Sequence, residues 1–200
     1  MSKRTSWGIC MMVAMIVAVV IGGGIVNLLN NDEAPKDSYT TYQCDVKVRL
    51  ETNIEIYKEG DRFAKVTGNI LRLVTDPLTM YNWDGSKRGY AGDSYRFIEQ
   101  DSHSIYIDDV MTVEMVGLFK WFGEEYNIYG VDGKKVAIAE FNQFSTHGEM
   151  HDMNGNLIAE YRSNFFFNDF DVRIFESCKL DENTVLLIFS SYYSDQHADR

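Results

Sequence analysis

The chain of 200 residues holds four histidines, and two of them fall in the one run whose spacing suggests ligand chemistry. His147, Glu149 and His151 alternate in HGEMH. In an extended strand, residues two apart share a face, so these three side chains can converge on a divalent ion such as zinc. The blander reading is the outer face of a hairpin that turns at Met153-Asn154-Gly155. No residue that would orient the imidazoles is evident, and a bound ligand's ring is nearly always oriented that way. The trio is therefore the metal candidate, and no metal is assigned. His103, between Asp101 and Ile105, reads as a strand edge.

Acid–base chemistry fares no better. Asp101, Asp108 and Asp109 cluster, as do Glu124 and Glu125, but such groups in an acidic chain read as solvated loops. Nothing in the sequence suggests the burial that would shift a carboxyl into a catalytic range. Nucleophile-elbow, phosphate-loop, dinucleotide-binding and zinc-protease motifs are all missing. The expectation is a protein with no catalytic residues and no cofactor.

Of the three cysteines, Cys10 sits in an apolar stretch, while Cys44 and Cys178 lie far apart in the remainder. If that remainder is exported, a Cys44–Cys178 disulfide is allowed. The alternative is a core-facing Cys44 and an unpaired loop thiol at Cys178, since spatial proximity is not written in the spacing.

The apolar stretch suggests where these groups are held. Lys3 and Arg4 precede a charge-free run from Trp7 to Leu29, and Asp32 and Glu33 come after it. About 20 apolar residues cross a bilayer, so residues 7–29 read as a transmembrane helix. The flanking cations keep residues 1–6 in the cytoplasm and export the chain beyond residue 29. A cleaved signal peptide ending near Gly22–Gly24 is the competing reading, against which the run continues through Ile25, Val26, Leu28 and Leu29. Residues 30–43 are mostly polar and read as a linker. The expected location is the cell membrane, single-pass, with the C-terminal domain extracytoplasmic.

The formal net charge is −11, and residues 36–200 carry all of it, because Lys3 and Arg4 balance Asp32 and Glu33. A domain this acidic repels phosphate backbones, which argues against nucleic acid.

From Cys44 onward the pattern has period two. Cys44, Val46, Val48 and Leu50 alternate with Asp45, Lys47, Arg49 and Glu51, the signature of a half-buried strand. About a dozen such runs succeed one another, among them Ile54–Tyr57, Arg62–Val66, Ile70–Val74, Tyr95–Ile98, Val136–Phe141 and Phe170–Phe175. Asp84-Gly85, Asp132-Gly133 and Asn154-Gly155 supply turn centres that tolerate positive φ. DGKKVAIAE and NGNLIAE repeat one hairpin unit. The last segment differs: Val185, Leu186, Leu187, Ile188 and Phe189 are consecutive apolar residues behind Asp181, a helix cap, with Asn183 the alternative. Five apolar neighbours encircle a helix, so this one must be buried on all sides.

LTMYNWDG (residues 78–85), EYNIYGVDGKKVAIAE (125–140), MNGNLIAEYR (153–162) and DENTVLLIFSSYY (181–193) together resemble the tubby C-terminal-like superfamily. The nearest members are the LURP-one-related and YxjI-like proteins, with phospholipid scramblases more distant. The resemblance covers about residues 44–195. It implies a mainly β fold, a closed antiparallel barrel of about twelve strands around a buried C-terminal helix. It also implies membrane or lipid association. Tubby domains proper bind phosphoinositides in a cationic pocket, and no basic cluster here matches it: Lys87-Arg88 and Lys134-Lys135 are separate hairpin tips. The functional expectation is a membrane-anchored, non-catalytic binding or interaction module at the cell envelope, with an unknown protein or lipid partner. An enzyme or carrier for a lipid or envelope substrate, working in a barrel-mouth cavity, is the alternative.

Overall fold

The computed structural model describes residues 38–48, 51–69, 77–93, 102–119, 123–144, 146–163 and 169–198. The chain divides into two units, Met1–Lys36 and Asp37–Arg200. The expected membrane segment 7–29 lies outside the described residues, as do Asp101 and the runs 70–74 and 95–98. Among the described residues, no helix is long and apolar enough to cross a membrane.

Twelve strands make an antiparallel meander that closes on itself. They are β1 (Tyr39–Val48), β2 (Glu51–Lys58), β3 (Asp61–Asn69), β4 (Leu78–Tyr81), β5 (Lys87–Asp93) and β6 (Ser102–Ile107), then β7 (Val110–Phe119), β8 (Glu124–Gly130), β9 (Lys135–Phe141), β10 (His147–Asp152), β11 (Leu157–Ser163) and β12 (Asp169–Phe175). Neighbours in sequence are neighbours in the sheet, and β1 pairs with β12 to complete the ring. Closure leaves no sheet edge open to another strand.

The first strand corrects the linker boundary. Tyr39–Tyr42 were expected in a polar linker, yet they pair with Val172–Phe175 of β12. These residues alternate too weakly to read as a strand alone; they are strand because the barrel cannot close without them. β5 also escaped the sequence, because KRGYAGD carries two glycines and no apolar alternation.

Among the described residues one helix, α1 (Glu182–Ala198), runs through the barrel. Asp181 caps it: its Oδ1 accepts hydrogen bonds from the Asn183 and Thr184 amides at 2.9 and 3.4 Å. Every side chain from Thr184 to Asp195 is buried. Around the helix, Ile54, Ile56, Val66, Met80, Ile105, Met115, Ile128, Met150 and Val172 point inward from their strands and are fully buried. Towards the far end the core turns aromatic. Phe141 stacks on Tyr192 at 3.4 Å between centroids, Tyr161 on Phe189 at 5.7 Å and Phe170 on Tyr193 at 5.0 Å.

An up-and-down meander puts alternate connections at opposite ends. The β2–β3, β4–β5, β6–β7, β8–β9 and β10–β11 turns gather at one end, with the start of β1 and the helix entry. We call it the hairpin end; the helix finishes at the opposite, loop end. Three of the five turns are built alike. In each, an amide and a carbonyl close the turn: Asn82 N to Ser86 O (2.8 Å), Gly130 N to Lys134 O (2.9 Å) and Asp152 N to Asn156 O (2.9 Å). Gly133 and Gly155 sit at φ of 74° and 82°, the left-handed region their turns require. Asp152 accepts from the amides of Asn154 and Asn156 and from the Asn156 side chain. Those bonds hold its carboxyl at about 2, below the usual 3.8. The other two turns, Glu59-Gly60 and Asp108-Asp109, place both central residues at positive φ, the geometry of a tight two-residue hairpin.

The repeat extends past the turns. All five hairpins carry a register shift at the same level: Ile56/Tyr57, Met80/Tyr81, Ile105/Tyr106, Ile128/Tyr129 and Met150/His151. In each pair the first residue is fully buried inside and the second faces out. The sequence showed two copies of a hairpin whose turn the fold uses three times and whose register shift it uses five times.

Candidate functional site: the wall and rim of a filled barrel

The interior holds protein, so polar groups able to meet a ligand lie on the wall, the rim or the helix ends. His147, Glu149 and His151 do share the outer face of β10. They are not arranged around one point, however. His147 Nε2 meets Glu149 Oε1 at 3.1 Å, and His151 Nε2 meets the other oxygen, Oε2, at 3.4 Å. The carboxylate bridges the two imidazoles, one on each oxygen. Among the described residues no group of three or more His, Cys, Asp or Glu is placed to hold a metal ion.

Glu149 stands in a row of glutamates. Glu125 is opposite Glu140, Glu140 opposite Glu149, and Glu149 opposite Glu160 on successive strands. Like charges directly opposite destabilise a sheet. At the row's end, Glu160 is buried and bound by Arg162 at 2.6 Å and by Arg173 at 3.3 Å. The row is invisible in the sequence, because pairing register alone assembles it.

The other expected carboxylates fall into structural roles. Asp108 and Asp109 form the β6–β7 turn, and Asp109 pairs with Lys87 at 2.6 Å. Glu124 is no solvated loop: it accepts from Tyr126 Oη at 3.0 Å and from Gln196 Nε2 at 2.7 Å, tying β8 to the last turn of α1.

His103 is the clearest departure from expectation. It is no strand-edge residue but is buried inside the barrel, its Nε2 2.7 Å from Asp195 Oδ2 on the helix. Period two carried the signal, since His103 and Ile105 share a face in SHSIYI. At the opposite end, Glu182 accepts from Tyr42 Oη and from Lys58 Nζ at 2.8 Å, and Arg88 donates to Asn183 Oδ1 at 2.8 Å. Burial alone would raise the Glu182 carboxyl, but the Lys58 and Tyr42 bonds outweigh it and hold it below its ordinary value. Both helix ends are thus pinned to the wall by polar contacts.

The structure also gathers basic residues that the sequence kept apart. Trp83 is flanked by Arg62 at 4.8 Å and Lys65 at 4.1 Å from its ring centre, and Phe63 by Arg88 at 4.3 Å and Lys58 at 5.5 Å. Strand pairing from β2 to β5 brings these four cations and two rings to one quarter of the hairpin end. Elsewhere, Arg162, Ser163, Asp169, Phe170 and Asp171 line an open recess of about 310 Å3 at the loop end.

Cys44 and Cys178 are both free thiols. The register explains why. Cys44 pairs with Phe170, five residues along the strand from the Tyr39–Phe175 pair, or roughly 16 Å at strand rise. Cys178 comes after Phe175 in a turn, its amide bonded to the Phe175 carbonyl at 2.9 Å. A turn spans under about 7 Å, too little to bring the two α-carbons within the ~7 Å limit for a bridge. Burial raises both thiols above the ordinary value, Cys44 strongly. In native protein without reductant, Cys44 should resist alkylation until denaturant is added, whereupon both thiols should react. Two thiols still blocked in denaturant would reinstate a disulfide.

No protein-family model matches the chain, and no curated protein or solved structure matches it either.

Proposed function

We propose that this protein is a non-catalytic binding or interaction module, tethered to the cell membrane by residues 7–29 with its barrel on the extracytoplasmic side. The observation that carries the reading is the helix inside the barrel. Val185–Phe189, Tyr192 and Tyr193 are buried against residues from the strands around them. A binding cavity of the usual kind needs several hundred Å3 of enclosed, mostly apolar space, and α1 occupies the volume where a barrel would offer it. The partner therefore meets the outer wall or a rim. The tether rests on the charge-free run from Trp7 to Leu29 behind Lys3 and Arg4. Kinship with the tubby-like superfamily belongs to the same proposal, supported by strands that close round a C-terminal helix.

Native mass spectrometry of the full chain released from detergent tests it. The dominant species should have the mass of the bare chain. A lipid or metabolite retained one per chain through detergent removal would move the reading to a carrier or enzyme with an internal site.

A further inference from the structure

The five hairpins form a rim with an unusual composition. At the shared bulge level Tyr57, Tyr81, Tyr106 and Tyr129 face outward, with His151 in the fifth position. Tyr90 stacks on Tyr106 at 4.5 Å, and Trp83 lies 5.9 Å from Tyr57, so a collar of amphipathic rings surrounds the barrel at one height. Beyond the collar, the turns expose apolar tips: Val131 is 71% exposed, Val110 65% and Met153 51%. Tyr39, 46% exposed, marks where the preceding chain joins β1, at this same end. The loop end exposes Leu118 and Phe144 without a comparable collar of rings among the described residues.

We propose that the hairpin end docks on the bilayer surface, Val110, Val131 and Met153 entering the interface while the Tyr and Trp collar lies at headgroup depth. Rings of Tyr and Trp at one level mark membrane–water boundaries because each ring has an apolar body and a polar tip. The collar lies two to four residues behind the tips, roughly 7–13 Å at strand rise, comparable with the depth reached by interfacial segments. Chain geometry favours this end as well. The proposal rests on the tether reading: nine residues, 30–38, separate a tether at residues 7–29 from Tyr39, where the chain enters the barrel at the hairpin end. Charge selects the lipid. Lys58, Arg62, Lys65 and Arg88 occupy one quarter of this end, but Asp109, Asp132 and Asp152 stand directly beside the three tips and the chain's net charge is −11, so contact at the tips is apolar and suits a zwitterionic surface.

The test uses the full chain in phosphatidylcholine vesicles, with Cys10→Ser and Cys178→Ser leaving only the buried Cys44 as a native thiol. An environment-sensitive fluorophore is placed at V131C or, as the loop-end control, at F144C. The V131C label should be blue-shifted and quenched at least fivefold more by spin-labelled lipid than the F144C label. Adding V110D and M153D should bring its quenching down to the control level, and 0.5 M salt should leave it unchanged. Vesicle flotation separates the two readings. Protein that fails to float overturns the tether itself. Protein that floats while the V131C label stays as water-exposed as the F144C label overturns rim docking and leaves the tether standing. Greater lipid quenching at F144C would place the opposite end on the membrane and also overturn the proposal.

Discussion

Replacing Leu187 with Asp should leave no folded protein. Leu187 lies in the second turn of α1, fully buried, facing β5. A carboxylate there finds neither water nor a cation, and an unpaired buried charge costs several kcal/mol even when it escapes by protonation. Domain stabilities are about 5–15 kcal/mol in total, so the substitution removes a large part of what there is. Leu187→Ala is the graded version. It keeps the interior apolar but opens a cavity, and should lower unfolding stability by about 2–5 kcal/mol, read from urea midpoints tracked by near-ultraviolet circular dichroism. A chain ending at Leu180 should aggregate, since the inward faces of twelve strands would enclose an empty space. A soluble, cooperatively folding fragment ending there would refute the helix as the core.

The second large effect is at Gly89, where strand and helix come closest. A β-carbon on Gly89 would lie 2.4 Å from the Tyr106 carbonyl oxygen, 2.8 Å from Ile107 Cδ1 and 3.3 Å from Leu187 Cδ1. The first contact is with paired backbone, which cannot yield without breaking the β5–β6 ladder. Gly89→Val should therefore destabilise by about 3 kcal/mol or more, the upper range for overpacking. Gly92, three residues on, is the control. A β-carbon there meets nothing nearer than 4.0 Å, the edge of the Tyr90 ring. Gly92→Ala should shift stability by under about 0.5 kcal/mol. Equal effects at the two sites would mean that strand propensity, and not crowding against the helix, decides the cost.

How much the sequence could disclose depended on how local each signal was. The alternation of Cys44, Val46 and Val48 and the encircling run Val185–Phe189 are each set by a few consecutive residues, so strand and buried helix were legible. β5 was not, because its inward positions are the small Gly89 and Ala91, and what crowds Gly89, Leu187, lies about a hundred residues away. The same holds for the polar groups. His103 meets Asp195 only once the helix fills the barrel, and Glu160 meets Arg173 only through strand pairing. HGEMH was legible as an alternating trio, whereas the Glu149 carboxylate bridging the two imidazoles shows only in the folded side chains.

The order in which this chain is made sets a further consequence of the helix-filled barrel. Tyr42 is bonded to Glu182 across 140 residues, and Val46 to Asp169 across 123. The first strand cannot be sealed until the twelfth is available, and the helix that all twelve enclose is made after every one of them. No stable half-barrel is possible on the way, because every inward face waits for the same helix. Closing such long loops is entropically expensive before any contact rewards it, which makes folding slow. Until the helix has emerged, the apolar faces of the strands stand open to one another and to other chains. The finished domain has no free edge, but the growing chain has little else, and its safe production depends on whatever shields the strands until residue 198 has emerged.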